Sequence, residues 1–165
     1  MSGKKRRSFE AGHRPKFLVI ADASEECGRA LRFAARRARH TGAGIVLLTI
    51  IDSSEFQQWL GVGDLMRAEA EQQAQALLDH FCAEARRLDG VDPERVVRTG
   101  AKTSEISRLI EEDEDISFLV LAAGAGKEGP GPLVSALAGK SGGSFAIPVV
   151  VVPGGLTDEE IDALA

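Results

Sequence analysis

The sequence has no tyrosine, one tryptophan, two cysteines and three histidines in 165 residues, and each scarcity removes a class of protein. Cys27 and Cys82 lie far apart on stretches that read as helices, without CxxC or Cys/His spacing. Neither a disulfide framework nor a zinc site is expected, and a reducing, cytoplasmic setting fits best. His13, His40 and His80 form no pair at ligand or general-base spacing, so each reads as a surface residue. No apolar run approaches the roughly 20 residues that span a bilayer. The basic start KKRR at 4–7 is followed by polar sequence, not by the apolar region of a secretion signal. A net charge of −5 lacks the basic field of a nucleic-acid binder. No nucleic-acid and no membrane partner is therefore expected. No serine or cysteine stands beside a base, and the acidic run 111–115 closes a helix and reads as a solvated face. A binding or regulatory protein is expected over an enzyme.

What is present is a set of short apolar runs separated by helical periodicity. The hydrophobic content of 44% can fill one compact core at this length. The run FLVIAD at 17–22 is almost wholly apolar and ends in a polar turn, as a strand covered on both faces should. A helix follows from Ser24, with Cys27, Ala30, Leu31, Ala34, Ala35 and Ala38 on one side, arginines on the other, and Gly42 and Gly44 to stop it. The buried-strand signature returns at 45–51, and the longest helical stripe runs over 64–88 to Gly90. Val96 and Val97 mark a weaker strand, and a helix over 103–111 is expected to start with Thr103 or Ser104 as cap. A further strand at 117–123 leads into the segment GAGKEGPGP, a short helix near Leu133, and a last strand at 149–152.

This alternation predicts an α/β fold with a doubly wound five-stranded parallel sheet, helices on both faces, and any ligand site at the carboxyl ends of the strands. Residues 1–15 are expected as a flexible basic tail, either a contact for an acidic partner or, preferably, a leader that aids solubility. Residues 16–153 form the domain. Residues 154–165 form an extension whose Thr157 and Glu160 are placed for a capping box, with little expected contribution to the core.

Order and context then suggest a family. Asp22-Ala23-Ser24 after the first strand, Arg29-Ala30-Leu31 in the first helix, Ile50-Ile51-Asp52 after the second strand, and the closing strand from Pro148 to Pro153 together resemble the universal stress protein family. The resemblance implies a Rossmann-like fold of the adenine nucleotide alpha hydrolase type. It also implies a non-enzymatic stress-response protein that forms a homodimer through its last strand, at Val149, Val150, Val151 and Val152, with ATP as cofactor in one branch and magnesium only where ATP binds. The alternative is a nucleotide sensor or slow ATP hydrolase. That branch carries Gly-x-x-Gly, nine residues, then Gly-Ser/Thr after the fourth strand, a segment whose amides can face phosphate.

This sequence departs from that pattern. Gly126, Gly129 and Gly139 keep the spacing but put Lys140 in the hydroxyl place and leave a short final helix; starting at Gly124 places Lys127 where the second glycine would fall, while counting back from Pro148 places Ser135 where the third would fall and keeps the helix near normal length. The second register is preferred. The resemblance thus marks Ala21, Asp22, Ala23, Ile51, Gly124, Gly126, Lys127, Gly129 and Ser135 as candidate nucleotide-binding residues. Two plain alternatives stand beside it: Asp22 as a polar end to a strand, and the glycine segment as a rigid surface turn. The Gly-Lys-Ser at 139–141 and the SGGS at 141–144 are chance matches to phosphate loops, and Trp59 is expected to pack down on the domain in preference to forming a lid.

Overall fold

The protein is described from a computed structural model, which covers residues 5–54, 61–124, 126, 129, 131–138 and 145–165. Five strands, β1 (Lys16–Ile20), β2 (Gly44–Ile51), β3 (Glu94–Thr99), β4 (Ile116–Ala122) and β5 (Val149–Val152), form one parallel sheet in the order β3-β2-β1-β4-β5. Among the described residues five helices accompany them: α1 (Glu26–Thr41), α2 (Gly63–Asp89), α3 (Lys102–Glu112), α4 (Pro132–Ala138) and α5 (Asp158–Leu164).

The uninterrupted apolar runs have a physical reason. Phe17 and Val19 enter the core shared with α1 and α2, while Leu18 and Ile20 enter the core shared with α3 and α4. Ile45 and Leu47 divide from Val46 and Leu48 in the same way. Successive side chains point to opposite faces and both faces are covered, so no position can be polar without a buried cost. β1 sits between β2 and β4, and the chain winds away from it in both directions. That reversal opens a crevice beside the carboxyl end of β1.

Several expectations need correction. α3 starts at Lys102 behind Ala101, which holds an extended conformation and makes no side-chain cap, so neither Thr103 nor Ser104 caps it. Residues 5–15 are not a loose tail. The Arg6 guanidinium donates to the carbonyl oxygens of Ile110 and Asp113 at 2.7 and 3.0 Å, the Arg7 amide to that of Glu114 at 3.0 Å, and His13 Nδ1 lies 2.7 Å from the Asp115 carboxylate. The last turn of α3 leaves carbonyls without helical partners and carries the negative end of the helix dipole, and a nearby guanidinium satisfies both. The acidic run 111–115 is thus a docking face for the chain's own basic segment as well as a solvated surface, and His13 is part of that contact.

The C-terminal extension also does more than expected. Its capping box is formed, with the Thr157 hydroxyl accepting from the Glu160 amide at 3.2 Å and the Glu160 carboxylate accepting from the Thr157 amide at 2.9 Å. Ile161 is fully buried in the α1 core, and Arg32 grips Asp162 through two hydrogen bonds of 2.8 Å. Among the described residues no helix is long and apolar enough to cross a membrane.

Candidate functional site

The carboxyl ends of β1 and β2 are fastened to each other before any ligand is considered. The Ala21 amide donates to the Leu48 carbonyl at 2.8 Å, and the buried Thr49 hydroxyl donates back to the Ala21 carbonyl at 3.2 Å. Asp22 then turns the chain into α1: its Oδ1 accepts from the Ser24 amide at 2.9 Å and from the Ser24 hydroxyl. An aspartate that holds its own turn in this way presents a fixed carboxylate at the strand end. Ile51 is buried and its carbonyl accepts from the Gly100 amide at 2.9 Å, so it offers the crevice an apolar wall.

Around these ends run three adjoining cavities. The first, of about 500 Å³, lies between the ends of β1 and β2 and the helix α2, with Ala21, Asp22, Ala23 and Ile51 on one side and Ala70, Ala74 and Leu77 on the other. The second, of about 330 Å³, passes between the ends of β1 and β4 and shares Asp22 and Lys102 with the first. The third, of about 680 Å³, is lined by Gly124, Gly126, Gly129 and Ser135 and shares Glu26, Gly131 and Pro132 with the second. Together they form a trench, apolar at one end and glycine-lined at the other, with Asp22, Glu26 and Lys102 along its length. Such a shape suits a ligand with a flat apolar group and a polar extension.

Eight of the nine candidate residues therefore border one trench; the ninth, Lys127, lies outside the described residues, as do Trp59, Gly139 and Lys140. Space is tight at Gly124, where a Cβ would stand 3.0 Å from the Gly129 carbonyl oxygen and 3.1 Å from Glu26 Oε1 and would press either neighbour back by a few tenths of an ångström. Gly129 has a φ of +89°, in the left-handed region that other residues avoid.

Glu26, Thr49 and Lys102 are among the trench residues that were not singled out as site residues from sequence. Glu26 reads in sequence as a helix-opening residue, and only the packing of α1 against the loop after β4 brings its carboxylate to the glycines. Lys102 had a usable signal, since it follows β3 at the carboxyl edge of the sheet where ligands collect. Hydrogen bonds from its own backbone amide and from the Ser24 side chain hold the Glu26 carboxyl below its ordinary range, so it is ionised at neutral pH. The Asp52 carboxyl is likewise lowered, chiefly by Ser54, with Lys102 adding to the effect. Burial pushes the Cys27 thiol up to about 12, and it donates to the Ile20 carbonyl at 3.4 Å, which leaves it a packing group and not a nucleophile. Among the described residues no cluster of three or more metal-binding side chains assembles.

The sequence matches the universal stress protein family over residues 13–153. Similar solved structures include the universal stress protein UspA of Lactobacillus plantarum, at 16% identity and a TM-score of 0.68, covering 84% of this chain and 97% of that one. The universal stress protein of Archaeoglobus fulgidus in complex with dAMP is 18% identical with a TM-score of 0.59, covering 84% and 96%. A universal stress protein family member of Arabidopsis thaliana with AMP bound is 23% identical with a TM-score of 0.59, covering 88% and 94%. At such identities the likeness concerns the fold. Comparison with the curated proteins gives no match. The family match spans the whole sheet, from the residues before β1 to the end of β5, and it encloses both the Asp22 turn and the glycine segment: this chain belongs to the universal stress protein family.

Proposed function

We propose that this protein is a cytoplasmic, non-enzymatic stress-response regulator that binds an adenine nucleotide in the strand-end trench and works as a homodimer. The observation that carries the nucleotide part is the junction of an apolar cavity beside Asp22 with a glycine-lined one beyond β4. A purine fits between Ile51 and Leu77, the ribose falls near Asp22, and a phosphate would point toward the glycines. The two relatives with dAMP and AMP support this choice of ligand. Magnesium enters only as the companion of a bound triphosphate. The homodimer is supported by β5, a strand of four valines at the edge of the sheet, with no strand on its outer side among the described residues. The two buried, unpaired cysteines suit a reducing compartment.

Calorimetry with AMP and with ATP and magnesium tests the nucleotide part. Binding should give heat and, at about 100 times Kd, roughly 2.7 kcal/mol of added stability, or about 5–10 °C in melting temperature. Ala70→Phe, which fills the apolar cavity from a half-buried position on α2, should abolish both signals. No heat and no thermal shift at millimolar nucleotide would refute the assignment. Phosphate release from ATP in the same samples would replace the regulatory role with that of a slow hydrolase.

A further inference from the structure

We infer that Glu26 is a specificity residue that sets this trench against polyphosphates, so that the chain recognises the adenosine part of a nucleotide in preference to its phosphate tail. The inference rests on the nucleotide assignment above and names which part of the ligand the site prefers. Glu26 is the first residue of α1, and its carboxylate occupies the end of the trench where a phosphate chain would run. Its Oε1 stands 3.1 Å from where a Cβ on Gly124 would be, beside the Gly129 carbonyl oxygen at 3.0 Å from the same point. Glu26 borders both the middle cavity and the glycine-lined one.

The start of a helix is ordinarily a favourable place for an anion. Here that place is taken from within the chain. The carboxylate is held by its own backbone amide and by the Ser24 side chain, which is also engaged by Asp22. Ser24 has one hydroxyl proton and two carboxylates beside it, so little donor capacity remains for an incoming phosphate oxygen. Among the described residues that line the glycine cavity, Glu26 is the charged one, and the charge has the wrong sign for phosphate. Lys102 borders the first two cavities and not the third, so it is placed to serve a ligand near Asp22 and not a chain of phosphates among the glycines. Glu26 thus sets a fixed negative charge at the far end, with Arg29 close enough to favour its ionised form, while Lys102 lies toward the nucleoside end.

The test compares adenosine, AMP and ATP by calorimetry on the whole chain and on Glu26→Gln, with EDTA present and at about 50 mM salt, where screening is weak. Adenosine should bind the native protein at least tenfold more tightly than ATP. Glu26→Gln should recover about tenfold for ATP while leaving adenosine unchanged, the scale expected for a unit charge a few ångströms from another near a protein surface. Glu26→Ala, which removes the carboxylate without leaving an amide, should give the same recovery, and far-ultraviolet circular dichroism of both variants should match the native spectrum. Equal affinity for adenosine and ATP in the native protein, or a preference that survives both substitutions, would overturn the role of Glu26 and leave the nucleotide site standing. No binding of any of the three ligands to any variant would instead remove the nucleotide site itself, and the specificity role with it.

Discussion

Truncation of Ile161 to alanine is the sharpest test of whether α5 belongs to the folding unit. Ile161 is fully buried against α1, in the cluster that includes Leu31, Ala34 and Ala35. The change removes a methylene and two methyl groups, and leaves the Thr157–Glu160 capping box and the Arg32–Asp162 pair in place. At about 0.8 kcal/mol per buried carbon the transfer loss is near 2.4 kcal/mol, and the unfilled space raises the total to about 3 kcal/mol. For a domain of this size that corresponds to a fall of roughly 6–12 °C in melting temperature. In urea, with a slope of about 2 kcal/mol per molar, the midpoint should move down by about 1.5 M. Circular dichroism against urea reads this directly, and Ile161→Val should cost only about 1 kcal/mol. A midpoint shift below about 0.3 M for the alanine variant would refute the argument, because it would mean that α5 comes away from α1 before the sheet unfolds.

Other outcomes follow from particular side chains. Val151 is 42% exposed on the edge strand β5, so Val151→Lys should give monomer by sedimentation if copies pair there; an unchanged dimer would place the interface elsewhere. The Arg32 guanidinium holds the Asp162 carboxyl below its ordinary 3.8, so the folded protein resists protonation of this group more than the unfolded chain does. Its stabilising effect is therefore complete above about pH 5 and is lost as pH falls below about 4. Asp162→Asn should flatten the acid side of the stability curve between about pH 5 and 3, and equal slopes in the two proteins would argue against the pair.

Much of the fold was legible because a parallel sheet covered on both faces demands continuous apolar strands, and FLVI, IVLL and FLVL satisfy that demand in plain view. β3 was harder to see since it is an edge strand, with only Val96, Val97 and Arg98 partly shielded. The start of α3 was misplaced because hydroxyl residues at 103 and 104 resemble caps, whereas Ala101 and Lys102 begin the helix without one. The docking of residues 5–15 could not be read locally, since the groups that hold Arg6 and His13 lie about a hundred residues away.

The sequence by itself determined the order of strands and helices, the capping box at Thr157, and the presence of an aspartate turn after the first strand and a glycine segment after the fourth. All of these depend on residues close together in the chain. Tertiary structure decided where those pieces meet. Only the reversal of winding at β1 brings Ala21, Asp22 and Ile51 into one trench with Gly124, Gly129 and Ser135, and only the packing of α1 beside β4 puts Glu26 among the glycines. The charge that a phosphate would encounter is a property of that approach, and no spacing along the chain encodes it.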